Sequence, residues 1–147
     1  MKEEQYIVFF LDDRKYALPV HTVRLVIQAV EVKPLPGASD HVLGVINVHG
    51  QLIPVVNLRK HLLLAEKSIE ADDYFIIVDS GERGLALPVD KIDSILQPQP
   101  DQIVQEAVLG IDGYTSLAIK TSEDFILICC TKFPEFEDMV LTEQQVH

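Results

Sequence analysis

The sequence predicts a mostly β protein, built as barrels or a sandwich from two related halves. Three observations carry this. Short apolar runs recur along the 147 residues, each broken by turn-forming residues, which is the pattern of many short strands. Ala17–Val20 and Ala86–Val89 both read ALPV. The surroundings match too: YIVFFLDDRKYALPVHTVRLVI resembles YFIIVDSGERGLALPVDKIDSIL, and each proline stands at the same distance from Val23/Ile92 and Val26/Ile95. Finally, LGVINV and LIPVV are nearly continuous in apolar residues rather than alternating. Such strands are covered on both faces, as when one barrel packs against another. The halves are expected at about 6–70 and 71–133 within a single 1–147 domain, followed by a tail over 134–147 that is weakly amphipathic and prone to fray. The chain is long enough for two small barrels sharing an interface.

In chain order, Tyr6–Leu11 is β-rich and ends in the turn Asp12-Asp13-Arg14, and Lys15–Leu18 is the returning strand. Pro19 and Pro88 mark structural turns, each able to open a one- or two-turn helix because its missing N–H costs nothing at the first position. Val20, Val23 and Ile27 would share one helical face, and Val89, Ile92 and Leu96 the other. Strands follow at Val42–Val48 and Leu52–Leu58. Their connection is either a type II′ loop at Gly50-Gln51 or a type I′ loop at His49-Gly50. Leu58–Leu64 is a third helical candidate. Tyr74–Val78 and Leu85–Leu87 flank Asp79–Gly84. Val108–Ile111 and Ser116–Ile119 flank Asp112-Gly113, with Gly113 the turn residue of a hairpin. Phe125–Cys130 is the last strand.

Charge excludes more than it proposes. Twelve Lys and Arg against 23 Asp and Glu leave a net charge of −11. A nucleic-acid partner needs a basic face, and an anionic membrane surface would repel this chain. A basic protein partner fits better. No apolar run reaches the roughly 18–20 residues that cross a bilayer. The start MKEEQYIVFFLDD lacks the cleavage pattern of a secretion signal. Cys129 and Cys130 are neighbours in a strand, so they point to opposite faces and read as two buried thiols rather than a disulfide. A reducing, cytoplasmic compartment is expected.

Chemistry-bearing groupings are sparse. His21, His41, His49, His61 and His147 have neither H-x-x-x-H nor zinc-knuckle spacing and no cysteine ligands nearby. A small metal- or ligand-binding enzyme using His41, His49 and His61 is the rival from another class, and stoichiometric zinc or iron in the purified protein would revive it. No G-x-S-x-G elbow, P-loop or G-x-G-x-x-G is present. The carboxylates gather in turns (Asp12-Asp13, Asp72-Asp73, Glu123-Asp124), where they normally act as solvated caps.

YALPV, PLPGASDHVLGVINVHG, QLIPVVNLRKHL, LALPVDKIDSIL and DFILICC, in that order, give the chain its resemblance to the CheW-like family of chemotaxis coupling proteins. The family core reads close to G-V-x-N-L-R-G-x-V-I-P-V-V-D-L-R. Gly44, Val45, Asn47, Gly50, Ile53, Pro54, Val55, Val56, Leu58 and Arg59 fit it. The resemblance implies two five-stranded SH3-like β-barrels with short helices. It implies a cytoplasmic adaptor, recruited to membrane receptor arrays, with no catalytic residue, cofactor or metal. Its partners would be the regulatory domain of a CheA-type histidine kinase, met through loops and strand ends of the first half, and the helical cytoplasmic tip of a chemoreceptor.

By the same resemblance the receptor groove involves Val23, Leu25, Val26, Gly44, Asn47, His49, Gly50 and Leu52. Two of these depart from the family pattern. Family members commonly carry glutamate at the position of Leu25 and arginine at that of His49, forming an acid–base pair beside the groove. Changing both is physically coherent, since neither charge is left without its partner. Asn57-Leu58-Arg59 likewise stands where D-L-R is usual. These departures point to an alternative: a divergent accessory member, serving twitching or another surface behaviour, that binds the kinase or a paralogue but not a standard receptor.

Overall fold

The structure is a computed structural model and describes residues 4–80, 83–106 and 116–129. Among the described residues, eleven strands and one short helix alternate with turns: β1 Tyr6–Leu11, β2 Arg14–Pro19, β3 Val23–Gln28, β4 Val42–Val48, β5 Gln51–Val56, α1 Leu58–His61, β6 Tyr74–Ser80, β7 Arg83–Val89, β8 Lys91–Leu96, β9 Ile103–Glu106, β10 Ser116–Lys120 and β11 Phe125–Ile128. They form two mixed sheets, in the orders β8-β1-β2-β11-β10-β9 and β3-β6-β7-β5-β4. The mostly β, SH3-like architecture matches expectation, although one sheet holds six strands rather than five.

The sheets do not follow the two sequence halves. The five-stranded sheet is one continuous stretch, β3 to β7, whereas the six-stranded sheet joins the β1–β2 hairpin to β8, β9, β10 and β11. The sheet boundaries therefore do not coincide with the expected halves 6–70 and 71–133. In the repeat, β1-β2-β3 corresponds to β6-β7-β8. Yet β3 pairs with β6, and β8 pairs with β1. Each copy lends its third strand to the other sheet, and the two ALPV segments are where the chain crosses over.

This exchange explains the apolar content. Alternate residues of a strand face opposite sides. In β1, Ile7, Phe9 and Leu11 enter a core shared between the sheets, while Tyr6 and Val8 enter the core of their own sheet. In β6, Ile76 and Val78 face the shared core, and Phe75 and Ile77 face the other. Strands buried on both faces are the expected result of one barrel packing on another.

The segments after Pro19 and Pro88 are strands, not helices. Only a single 3-10 turn, Val20–Thr22, follows Pro19. Pro19 ends β2 opposite Tyr6, and Pro88 lies inside β7 opposite Phe75. The apolar spacing of Val23 and Ile27 suits a bulged strand as well as a helix. A register shift between Val23 and Leu25 lets Val23 pack on the shared core and Ile27 on the core of its own sheet. The third candidate does form a helix, α1, but it stops at His61. Of the final strands, β9 was not expected. The Val108–Ile111 strand, Gly113, Cys130 and the tail lie outside the described residues. Cys129 is buried.

Candidate protein-binding site

The β4–β5 hairpin positions most of the expected residues. Val48 pairs with Gln51, so His49 and Gly50 form the two-residue loop. Both have positive φ, 52° and 86°, which identifies the type I′ turn. The Asn47 side-chain oxygen accepts a hydrogen bond from the Gly50 N–H at 2.9 Å. His49 stands exposed at the tip. Gly44 has φ 149° at the register shift of β4, opposite Val55. A Cβ there would meet the Lys33 carbonyl oxygen at 2.3 Å. That space is taken by a bridge: Lys33 and Val45 exchange two backbone hydrogen bonds, each 2.9 Å. The chain leaving β3 thus reaches across to β4, joining the sheet's two edge strands through an isolated bridge.

Beside this bridge lies a groove of about 240 Å3, lined by Val30, Glu31, Lys33, Val45, Ile46, Asn47 and Leu52. Asn47 and Leu52 face each other across β4 and β5. They are the expected residues that line it. Val30, Glu31 and Lys33 were missed, although the alternation Val30-Glu31-Val32-Lys33 is a legible sign of extended chain.

Val23, Leu25 and Val26 lie on β3, at the opposite edge of the sheet from β4. Leu25 and Val26 are 37% and 36% exposed. Leu25 sits opposite Ile77, and Val26 opposite Ile76. Those partners belong to different cores, so Leu25 and Val26 point to opposite faces of β3 and do not line one surface. Leu25 is therefore an exposed residue of the edge strand, not a core one. Its neighbour Arg24 pairs with Asp79 across β3 and β6.

A second polar grouping sits where the sheets meet. Arg59, only 9% exposed, is held on α1. Asn57 caps that helix by accepting from the Lys60 N–H at 3.2 Å, and donates through its amide to the Asp40 carbonyl at 3.1 Å. An aspartate at this position would lack the donor. The Arg59 guanidinium binds both oxygens of Asp90, at 3.0 and 2.8 Å, and also reaches Asp12 and the Ala65 carbonyl. Asp90 in turn accepts from the Asp12 N–H at 2.7 Å and faces Lys67 at 3.4 Å. Burial disfavours the Asp90 charge, but the Asp12 N–H, Arg59 and Lys67 outweigh it and hold its pKa below the ordinary value. Arg59 is opposed by burial too, and its carboxylate partners hold its pKa above the ordinary value. Among the described residues, no His, Cys, Asp and Glu grouping is arranged to hold a metal, and no helix is long and apolar enough to cross a membrane.

Two interlocked SH3-like sheets, an edge strand with exposed apolar side chains and a small groove beside a hairpin tip define a β-scaffold binding module. The model of the CheW-like domain matches residues 5–129, and the chain belongs to that family. It is 26% identical over 131 residues to a chemotaxis protein CheW of Treponema pallidum, covering 84% of this chain and 77% of that protein. It is 28% identical over 117 residues to the chemotaxis protein CheW of Bacillus subtilis, covering 80% and 74%. The crystal structure of scaffolding protein TtCheW from Thermoanaerobacter tengcongensis has the same fold, with a TM-score of 0.81 at 24% identity over 93% of this chain and 90% of that one.

Proposed function

We propose that this protein is a non-enzymatic adaptor of a bacterial chemosensory pathway. It holds a CheA-type histidine kinase, through that kinase's regulatory domain, and the cytoplasmic tip of a chemoreceptor in one complex. It acts in the cytoplasm at receptor arrays. Family membership over residues 5–129 carries the reading. The groove lined by Val30, Asn47 and Leu52 suits helix-in-groove docking of a receptor's helical hairpin. The kinase contact belongs to loops and strand ends of the first half, of which the Asp12-Asp13 turn is one. Coupling requires that each partner favour the same arrangement of the complex, not mere tethering.

One observation favours a second reading. Leu25 and His49 replace the family's acid–base pair, so the protein serves instead as an accessory member that binds the kinase or a paralogue and not a standard receptor. A three-component binding measurement separates the two, using this protein, the CheA-type kinase of its own organism and a receptor cytoplasmic fragment. Binding of both supports the adaptor. Binding of the kinase alone supports the accessory reading, and binding of neither removes both. In the accessory case, Leu25→Glu combined with His49→Arg is expected to raise receptor affinity. No gain from the pair would show that the groove differs elsewhere.

A further inference from the structure

We propose that Arg59 is the positioning residue that fixes the orientation of one sheet against the other, and that any coupling between the two proposed docking surfaces passes through it. The coupling clause rests on the adaptor reading; the orientation clause does not.

Among the described residues, the chain crosses between the sheets around Val20–Thr22 and at Asp90. Apolar burial in the shared core holds the sheets together, but it is non-directional. It resists separation more than small rotation. Directional contacts are concentrated at the second crossing. Arg59 grips both oxygens of Asp90 from the five-stranded sheet's helix, and reaches Asp12 in the β1–β2 turn of the six-stranded sheet, 3.0 Å from its carboxylate. One nitrogen, Nη2, serves both Asp90 oxygens, while Nη1 and Nη2 together meet the two Asp12 oxygens at 3.2 and 3.0 Å, and that planar fork fixes direction as well as distance. Two backbone contacts complete the knot: the Asp12 N–H donates to Asp90, and the Asp90 N–H donates to the Phe10 carbonyl at 3.0 Å.

The cluster also reaches toward the candidate site. Lys67 lies between Asp90 and Asp73, at 3.4 and 3.8 Å, and the Asp73 carbonyl accepts from the Ala29 N–H at 2.9 Å, one residue beyond β3. A continuous run of polar contacts therefore joins the end of β3, next to the groove-lining Val30, to the β1–β2 turn in the other sheet. A load on either end is borne at Asp90, which Arg59 and the Asp12 N–H hold together.

The test uses the full-length chain with Arg59→Met, Arg59→Lys and Asp12→Asn. Asp12 is half exposed in a turn, so its variant tests the lock should Arg59→Met fail to fold. In the partner-free arm, residual dipolar couplings report the orientation between the sheets, and amide exchange reports the Asp12 N–H. Arg59→Met is expected to give a changed or averaged orientation, with the Asp12 amide exchanging about tenfold faster while the β6 and β7 amides keep their protection. Asp12→Asn shifts in the same direction by less, and Arg59→Lys lies between wild type and Arg59→Met. Wild-type orientation and unchanged Asp12 exchange in a folded variant would overturn the lock. In the partnered arm, the kinase regulatory domain and a receptor fragment are titrated singly and together. Wild type is expected to show one partner changing the affinity for the other by about fivefold or more. Arg59→Met abolishes that factor while each single affinity stays within about threefold. A coupling factor retained in Arg59→Met, or absent in a wild type that binds both, overturns the coupling clause. A wild type that binds neither defeats the adaptor reading, and the partner-free arm still decides the lock.

Discussion

Gly50 adopts φ 86° in open space, with nothing within 4 Å of a built Cβ. Gly50→Ala is therefore expected to cost about 1 kcal/mol through backbone conformation alone, read as a lower urea midpoint with an unchanged slope. Gly44 is a different case. Its φ of 149° coincides with the close approach of Lys33, so Gly44→Ala must push the 29–33 segment off β4. A loss of about 1–3 kcal/mol is expected, together with loss of amide protection at Val45, whose N–H donates to the Lys33 carbonyl. These glycines were legible as part of a motif. Their separate reasons, a turn and a contact across the barrel, were not, because the second depends on a residue eleven positions away that only the fold brings near.

At the scale of elements, α1 ends in a leucine held in the left-handed region. Leu63 has φ 59° and is 74% exposed. The Leu64 N–H donates to the Arg59 carbonyl and the Leu63 N–H to the Lys60 carbonyl, the hydrogen-bond pattern that usually places glycine at this site. Leu63→Gly is expected to raise stability by about 1 kcal/mol in thermal or urea unfolding, since little burial is lost. The elements misread from sequence are β3 and β8. Their apolar spacing fits either a short helix or a strand with an irregular register. What decides is the partner waiting at the edge of the opposite sheet, β6 for β3 and β1 for β8. Six-residue segments carry too little periodicity to settle that alone.

For the whole molecule, the Arg59–Asp90 cluster makes stability depend on acid. The Asp90 pKa is held below its ordinary value of 3.8 in the folded state. The unfolded chain therefore takes up a proton at that position first as pH falls. The stability contributed by the cluster is complete above pH 3.8 and is lost as pH drops through the lower, folded-state pKa. Asp90→Asn is expected to lower stability near neutral pH and to flatten its decline below pH 3.8, measured as urea midpoints across an acid series. An equal slope in both proteins would place the acid sensitivity elsewhere.

The sequence by itself determined the class of architecture, the paired-barrel burial and the internal repeat, because apolar spacing, turn residues and duplication are local properties. It also carried the family motif around the β4–β5 hairpin, down to the unusual Leu25 and His49. Tertiary structure alone decided that the repeated units exchange their third strands, that Leu25 and Val26 point to opposite faces, and that Arg59 joins Asp12 and Asp90. Each of these depends on which distant strands pair. Pairing is chosen by closing a shared core, a free energy that belongs to the whole chain and has no signature in any one segment.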